Sequence, residues 1–130
     1  MTVFDWKDFY DVGNHLKIYS KQEAYQRSAI CRYYYSCFGP VKNYYEKSFR
    51  KTLFSKNAHT KLIDTLKKSP FIEEQKLGKK LDELRKNRNF ADYRLGKLSK
   101  NLVLDSKMYA EENFQIQDNL YKSPLRKTKK

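Results

Sequence analysis

Arg85 and Arg88 are the residues of this chain best placed to do chemistry. Leu77, Leu81, Leu84, position 88, Ala91 and Leu95 recur at alternating intervals of four and three. That spacing is the apolar stripe of a helix. Position 88 breaks the stripe with a guanidinium, which stays protonated and is costly to bury without partners. Arg85, one turn earlier, shares its face, and Asp92, one turn later, stands at ion-pairing distance along a helix. Two readings follow. Either Arg88 is an internal anchor paired with Asp92 or another carboxylate, or Arg85 and Arg88 line a cleft that binds phosphate.

Little else in the chain has catalytic spacing. The two histidines are His15, among polar neighbours, and His59, at the start of a short helical segment. Spacing brings neither beside Arg88, and each reads as solvated or packing. Cys31 and Cys37 lie on one helical segment, which suits neither a disulfide framework nor a four-ligand metal site. They read as buried thiols in a reducing cytoplasm. No Gly-rich phosphate loop and no metal-spaced His/Asp/Glu cluster appears, so no cofactor and no metal is expected.

The elements that must hold these groups are helical. Segments are predicted at about Asp5–Tyr19, Gln22–Ser48, His59–Lys68, Glu73–Tyr93 and Asp105–Tyr121. Asp5 can cap the first, and Asp8 sits in its first turn. The second is apolar nearly all round, from Ala24 to Phe38, which marks a central, buried helix. Gly39-Pro40 should kink or split it, because Pro40 has no N–H to donate. Leu62, Ile63 and Leu66 face inward on the third, and Ser69-Pro70 ends it. No segment alternates with period two. The fold class is therefore all-α, a four- to five-helix bundle over residues 1–122, with a basic, flexible tail at 123–130. Most tyrosines belong to the core; Tyr44, Tyr45 and Tyr93 are expected at a rim, where they could stack on an unpaired base.

At 130 residues and 15.7 kDa the chain is one domain, long enough to bury a core without staples. Lys+Arg 28 against Asp+Glu 15 leaves a net charge of +13, with a pI of about 9.7. The excess is spread along the body and is not confined to the final Arg126–Lys130 run. Such a body attracts polyanions, of which nucleic acid is the commonest; an anionic membrane surface or a merely lysine-rich soluble protein are the other readings. No apolar run is long enough to span a bilayer, and the acidic, aromatic start MTVFDWKDFYDVG is unlike a signal or transit peptide. A cytoplasmic protein is expected. There is no helix-turn-helix signal for DNA binding.

Two stretches carry a family resemblance. RSAICRYYYSCF (Arg27 to Phe38) resembles the second-helix pattern of the HEPN domain (higher eukaryotes and prokaryotes nucleotide-binding), in its compact prokaryotic form. LRKNRNFADY (Leu84 to Tyr93) resembles that family's Arg-polar-x-x-x-His signature. The resemblance covers most of residues 5–121. It implies a HEPN-like bundle, commonly a homodimer, in which the signature helices of two protomers meet as a metal-independent endoribonuclease site. By that resemblance Arg88 holds the scissile phosphate, Asn89 orients the helix or substrate, and Tyr93 stands where the family has His. A phenol near pKa 10 donates a hydrogen bond but is a poor base at neutral pH, where imidazole is suited to both roles. Arg85 and Lys86 add charge for RNA. Arg27 and Arg32 either contact RNA or form salt bridges to carboxylates of neighbouring helices, such as Asp92 or Glu83. The expected role is RNA binding, with endoribonuclease activity, in a toxin–antitoxin or phage-defence setting. The alternative is a catalytically silent HEPN module that binds a protein partner, for instance a cognate antitoxin, a nucleotidyltransferase or a larger defence complex.

Overall fold

Five helices follow in chain order: α1 (Asp8–Tyr19), α2 (Glu23–Phe49), α3 (Ala58–Lys67), α4 (Ile72–Tyr93) and α5 (Lys100–Lys122). The computed structural model describes residues 4–53 and 56–125, and no strand occurs among them. The fold is an all-α bundle. Of the predicted tail, Arg126–Lys130 lies outside the described residues, while Leu125 packs against the core.

α2 is the central helix, flanked by α1, α4 and α5, while α3 packs on α4. Its composition explains the position: Ala29, Ile30, Tyr33, Tyr34, Cys37 and Val41 are wholly buried. Burial of large apolar side chains is worth about 1.5–3 kcal/mol each. That total exceeds the roughly 3 kcal/mol that a proline costs in a helix interior. α2 accordingly runs through Gly39-Pro40 and is not split there. Gly39 serves packing instead. A Cβ on it would lie 2.0 Å from the Trp6 indole. α2 stops at Arg50, in the left-handed region at φ 54°.

Two helix starts differ from the sequence reading. The Asp5 carbonyl accepts the Asp8 N–H at 2.9 Å and its Oδ1 accepts the Lys7 N–H at 3.0 Å, so Asp5 closes a turn ahead of α1. α5 begins at Lys100 rather than Asp105, because Ser99 Oγ accepts the Asn101 N–H at 3.2 Å and caps it. On α4, Leu77, Leu81 and Leu84 are wholly buried and Ala91 nearly so. Leu95 leaves that stripe: α4 ends at Tyr93, and Leu95 projects fully into solvent.

A buried carboxylate ties α2 to the start of α4. Glu74 is wholly buried; Oε2 accepts from Tyr44 Oη at 2.5 Å and Oε1 from Ser69 Oγ at 2.6 Å. This corrects the expectation that Tyr44 and Tyr45 sit at a rim. Both are buried, Tyr44 because its hydroxyl reaches inward to Glu74.

Candidate nucleic-acid interface

Arg88 stands at the edge of the α4 stripe, facing α2. Its guanidinium carbon lies 5.3 Å from the Tyr35 ring centroid and 5.9 Å from those of Tyr34 and Tyr93. Aromatic faces attract a cation electrostatically, by about 0.5–2 kcal/mol depending on solvation. Nε is 2.9 Å from Asp92 Oδ2. That oxygen lies off the N–H direction, so Nε makes no hydrogen bond among the described residues. Burial disfavours the charged form, but Tyr35, Asp92 and Tyr93 outweigh it and the pKa is raised. The site therefore holds a permanent cation, ringed by tyrosines and paired edge-on with one carboxylate.

Arg85, one turn earlier, donates from Nη1 to Thr60 Oγ1 at 2.9 Å, which anchors it to α3. Its Nε is buried and, among the described residues, has no hydrogen-bond partner. α3 also brings His59, which stacks on Phe38 with centroids 4.0 Å apart and planes 16° apart. Tyr35 meets the same two rings edge-on. The Tyr34 hydroxyl hydrogen-bonds to His59 Nδ1. Burial pushes the Tyr34 phenol well above its usual range, so it stays protonated and donates. His59 is then the neutral tautomer with its proton on Nε2. Burial, reinforced by the charges of Arg85, Arg88 and Lys42, lowers its pKa to about 4. No pattern in sequence ties His59 or Thr60 to Arg85 and Arg88. The docking of α3 does, and it also brings His59 within reach of the charge of Lys42 on α2. Tyr35 and Phe38 belong to the quoted second-helix motif, and both are partly buried.

Asn89 and Lys86 point away from this cluster. They line an open depression of about 550 Å³ with Phe90, Tyr93 and Arg94. Tyr93, 72% exposed, is the link, since its ring borders both that depression and Arg88.

Arg27 is placed elsewhere. Nη1 donates to the carbonyls of Phe90 (3.3 Å), Ala91 (2.7 Å) and Arg94 (2.8 Å), and Nη2 to Gly96 O at 2.6 Å. Nε and Nη2 also bond Glu23 Oε1 at 3.0 and 2.7 Å. The last carbonyls of a helix lack intrahelical partners, and Arg27 supplies them for α4. It contacts neither Asp92 nor Glu83 as an ion pair, and its donors are consumed inside the fold. Arg32 lies with its guanidinium carbon 5.2 Å from the Phe9 ring centroid, against the entry to α1, and pairs with no carboxylate among the described residues.

Burial, then Asp92, raises the pKa of Cys31, and burial pushes Cys37 up to about 12, so neither is a thiolate at neutral pH. Among the described residues no group of three His, Cys, Asp or Glu side chains could hold a metal ion. None of their helices is long and apolar enough to cross a membrane. The cluster can therefore do two things: bind an anion at Arg88 and Arg85, and offer half-exposed ring faces beside it. No family model, no curated protein and no solved structure matches the chain.

Proposed function

We propose that this chain is a HEPN-like RNA-binding protein that takes an unpaired RNA segment on the α2–α3–α4 face. Arg88 and Arg85 hold a phosphate. Tyr35, Phe38, His59 and Tyr93 offer faces on which unpaired bases stack, an interaction worth about 1–3 kcal/mol per base. One observation carries the reading. The Arg88 guanidinium is charged and surrounded by rings, and among the described residues no oxygen accepts a hydrogen bond from its Nε. The charge of +13 supports it as a source of long-range attraction. In its catalytic form, as a homodimer of a toxin–antitoxin or phage-defence system, the ribose 2′-OH attacks the phosphate held by Arg88 and loses its proton to solvent water. The P–O5′ bond breaks and the 5′-oxygen leaves with a proton from Tyr93, giving a 2′,3′-cyclic phosphate and a 5′-OH; the Tyr93 phenolate regains a proton from water, with no metal required.

The test is incubation of structured RNA with wild type and Arg88→Ala in EDTA, with binding followed in parallel. Binding lost in the variant is the expected result, and equal binding overturns the reading. Equal cleavage by both proteins, or none by either, removes the catalytic form alone.

A second reading is a silent HEPN module that docks a protein such as a nucleotidyltransferase. Exposed Tyr93 and fully exposed Leu95, side by side at the end of α4, favour it. So does His59, which at a pKa of about 4 is a weak base at neutral pH. Recovery of RNA without a stoichiometric protein in a pull-down from native cells counts against this second reading.

A further inference from the structure

A second basic feature lies at the opposite edge of the Arg27 cap. Lys17 from α1, Lys21 from the α1–α2 turn, Lys97 from the α4–α5 connection and Lys100 from the first turn of α5 surround a hollow of about 460 Å³. That volume falls in the range of small-ligand pockets, about 300–1,000 Å³. Its floor is apolar, formed by Leu98, Val103 and Leu104. None of the four ammonium groups forms an ion pair among the described residues.

Among the described residues the one carboxylate lining the hollow is Glu23, and it is already engaged. Oε1 accepts from Arg27 at 2.7 Å and from the Leu98 N–H at 3.2 Å. Its pKa is lowered first by Arg27 and, more weakly, by Lys97. Four like charges thus line one cavity, set against a single lining carboxylate that is already bonded to Arg27. Such a site concentrates anions.

The hollow is joined to the Arg88 region by the chain itself. Tyr93 borders Arg88 and the depression that Arg94 also lines. Arg27 then pins the carbonyls of Arg94 and Gly96, and Glu23 pins the N–H of Leu98 at the rim of the hollow. The segment from Arg94 to Leu98 is thus tied by hydrogen bonds to α2 and carries Arg94 and Lys97 between Arg88 and the hollow.

We propose that this lysine-walled hollow is a second phosphate-binding subsite, which holds the backbone of the same single RNA strand as it leaves Arg88. The lysines take phosphates and the apolar floor takes a sugar or base face. The inference rests on the RNA-binding reading above.

The experiment titrates fluorescent oligouridylates of 4 and 12 nucleotides at several salt concentrations. The proteins are wild type, Arg88→Ala, the quadruple variant Lys17→Ala/Lys21→Ala/Lys97→Ala/Lys100→Ala, and a control carrying Lys47→Ala/Lys61→Ala/Lys76→Ala/Lys79→Ala. Wild type should bind the 12-mer at least about tenfold tighter than the 4-mer. Each phosphate contact on a single strand contributes about 0.7 to the slope of log affinity against log salt, so the quadruple variant should lose about 2–3 from that slope. It should also lose its length preference while binding the 4-mer as wild type does. Wild-type affinity and slope in the quadruple variant, or an equal loss in the control, overturns the subsite and leaves the Arg88 reading standing. Failure of wild type to bind either oligonucleotide overturns the Arg88 reading and the subsite with it.

Discussion

Arg27 and Arg88 are buried to the same degree, with side chains 20% and 18% exposed, and each has an acidic residue one helical turn away. They differ in what their hydrogens reach. Arg27 meets four carbonyls and a carboxylate, so its guanidinium is a structural cap for α4. Arg88 meets ring faces, the Cys31 thiol and one carboxylate, Asp92, whose oxygen lies off the Nε–H direction, so it has fewer oriented oxygen acceptors than Arg27. Burial alone does not distinguish a structural arginine from one available to a ligand; the count of oriented oxygen acceptors does.

The largest expected effect separates the two on stability. Arg27→Ala should cost about 1–3 kcal/mol, since it removes the side-chain donor from the part-buried carbonyls of Phe90 and Ala91 at the end of α4. Arg88→Met should change stability by less than about 1 kcal/mol, because an apolar chain of similar length can lie on the same rings. Denaturant unfolding of the two variants measures this, and equal costs would erase the distinction. On RNA binding the order reverses. Arg88→Ala should weaken affinity by about 10- to 100-fold, the worth of a hydrogen bond to a charged group. Phe38→Ala or Tyr35→Ala should each weaken it by roughly 5- to 50-fold through lost stacking. Anisotropy titration at fixed salt reads both.

His59 sharpens the comparison through pH. Its folded pKa, about 4, lies below the usual imidazole value, so the unfolded chain binds the proton more readily. The stability it contributes is complete above about pH 7 and is lost as pH falls from about 6.5 towards 4. The ring is half-buried, so solvent screening reduces the expected loss to about 1–2 kcal/mol. His59→Phe keeps the stack on Phe38 and should flatten that part of the pH profile. The smallest effect is expected for Asp92→Asn. Stability should move by less than about 1 kcal/mol, and RNA affinity should rise about threefold as Arg88 loses its competing anion.

The helices and much of the core were legible in the sequence because the residues that define them are neighbours along the chain. Leu77, Leu81 and Leu84 recur at helical spacing and are buried accordingly. The odd position of Arg88 followed from the same count. The ends were harder to read. Ser99 caps α5 a full turn before its apolar pattern becomes obvious, and Leu95 kept the spacing of a helix that had already stopped. The role of Arg27 was hidden because its partners are backbone carbonyls on another helix, which have no residue signature. His59 was hidden for a related reason. Its neighbours Tyr34, Phe38 and Arg85 come from two other helices, and only the docking of α3 gathers them.

The glycines at the α1–α2 seam have a mechanical consequence. A Cβ on Gly13 of α1 would meet the Tyr33 ring of α2 at 2.8 Å, and one on Gly39 of α2 would meet the indole of Trp6, just ahead of α1. Each helix thus offers a notch to an aromatic peg, Tyr33 of α2 in one and Trp6 of the turn leading into α1 in the other. Two such pegs, set in opposite directions, fix both the axial slide and the roll of one rod on its neighbour. A shift by one turn, about 5.4 Å, would drive both rings into positions that carry side chains. The first helix is therefore keyed to a single seat, and a methyl group added at either notch should unlatch it before the rest of the bundle opens.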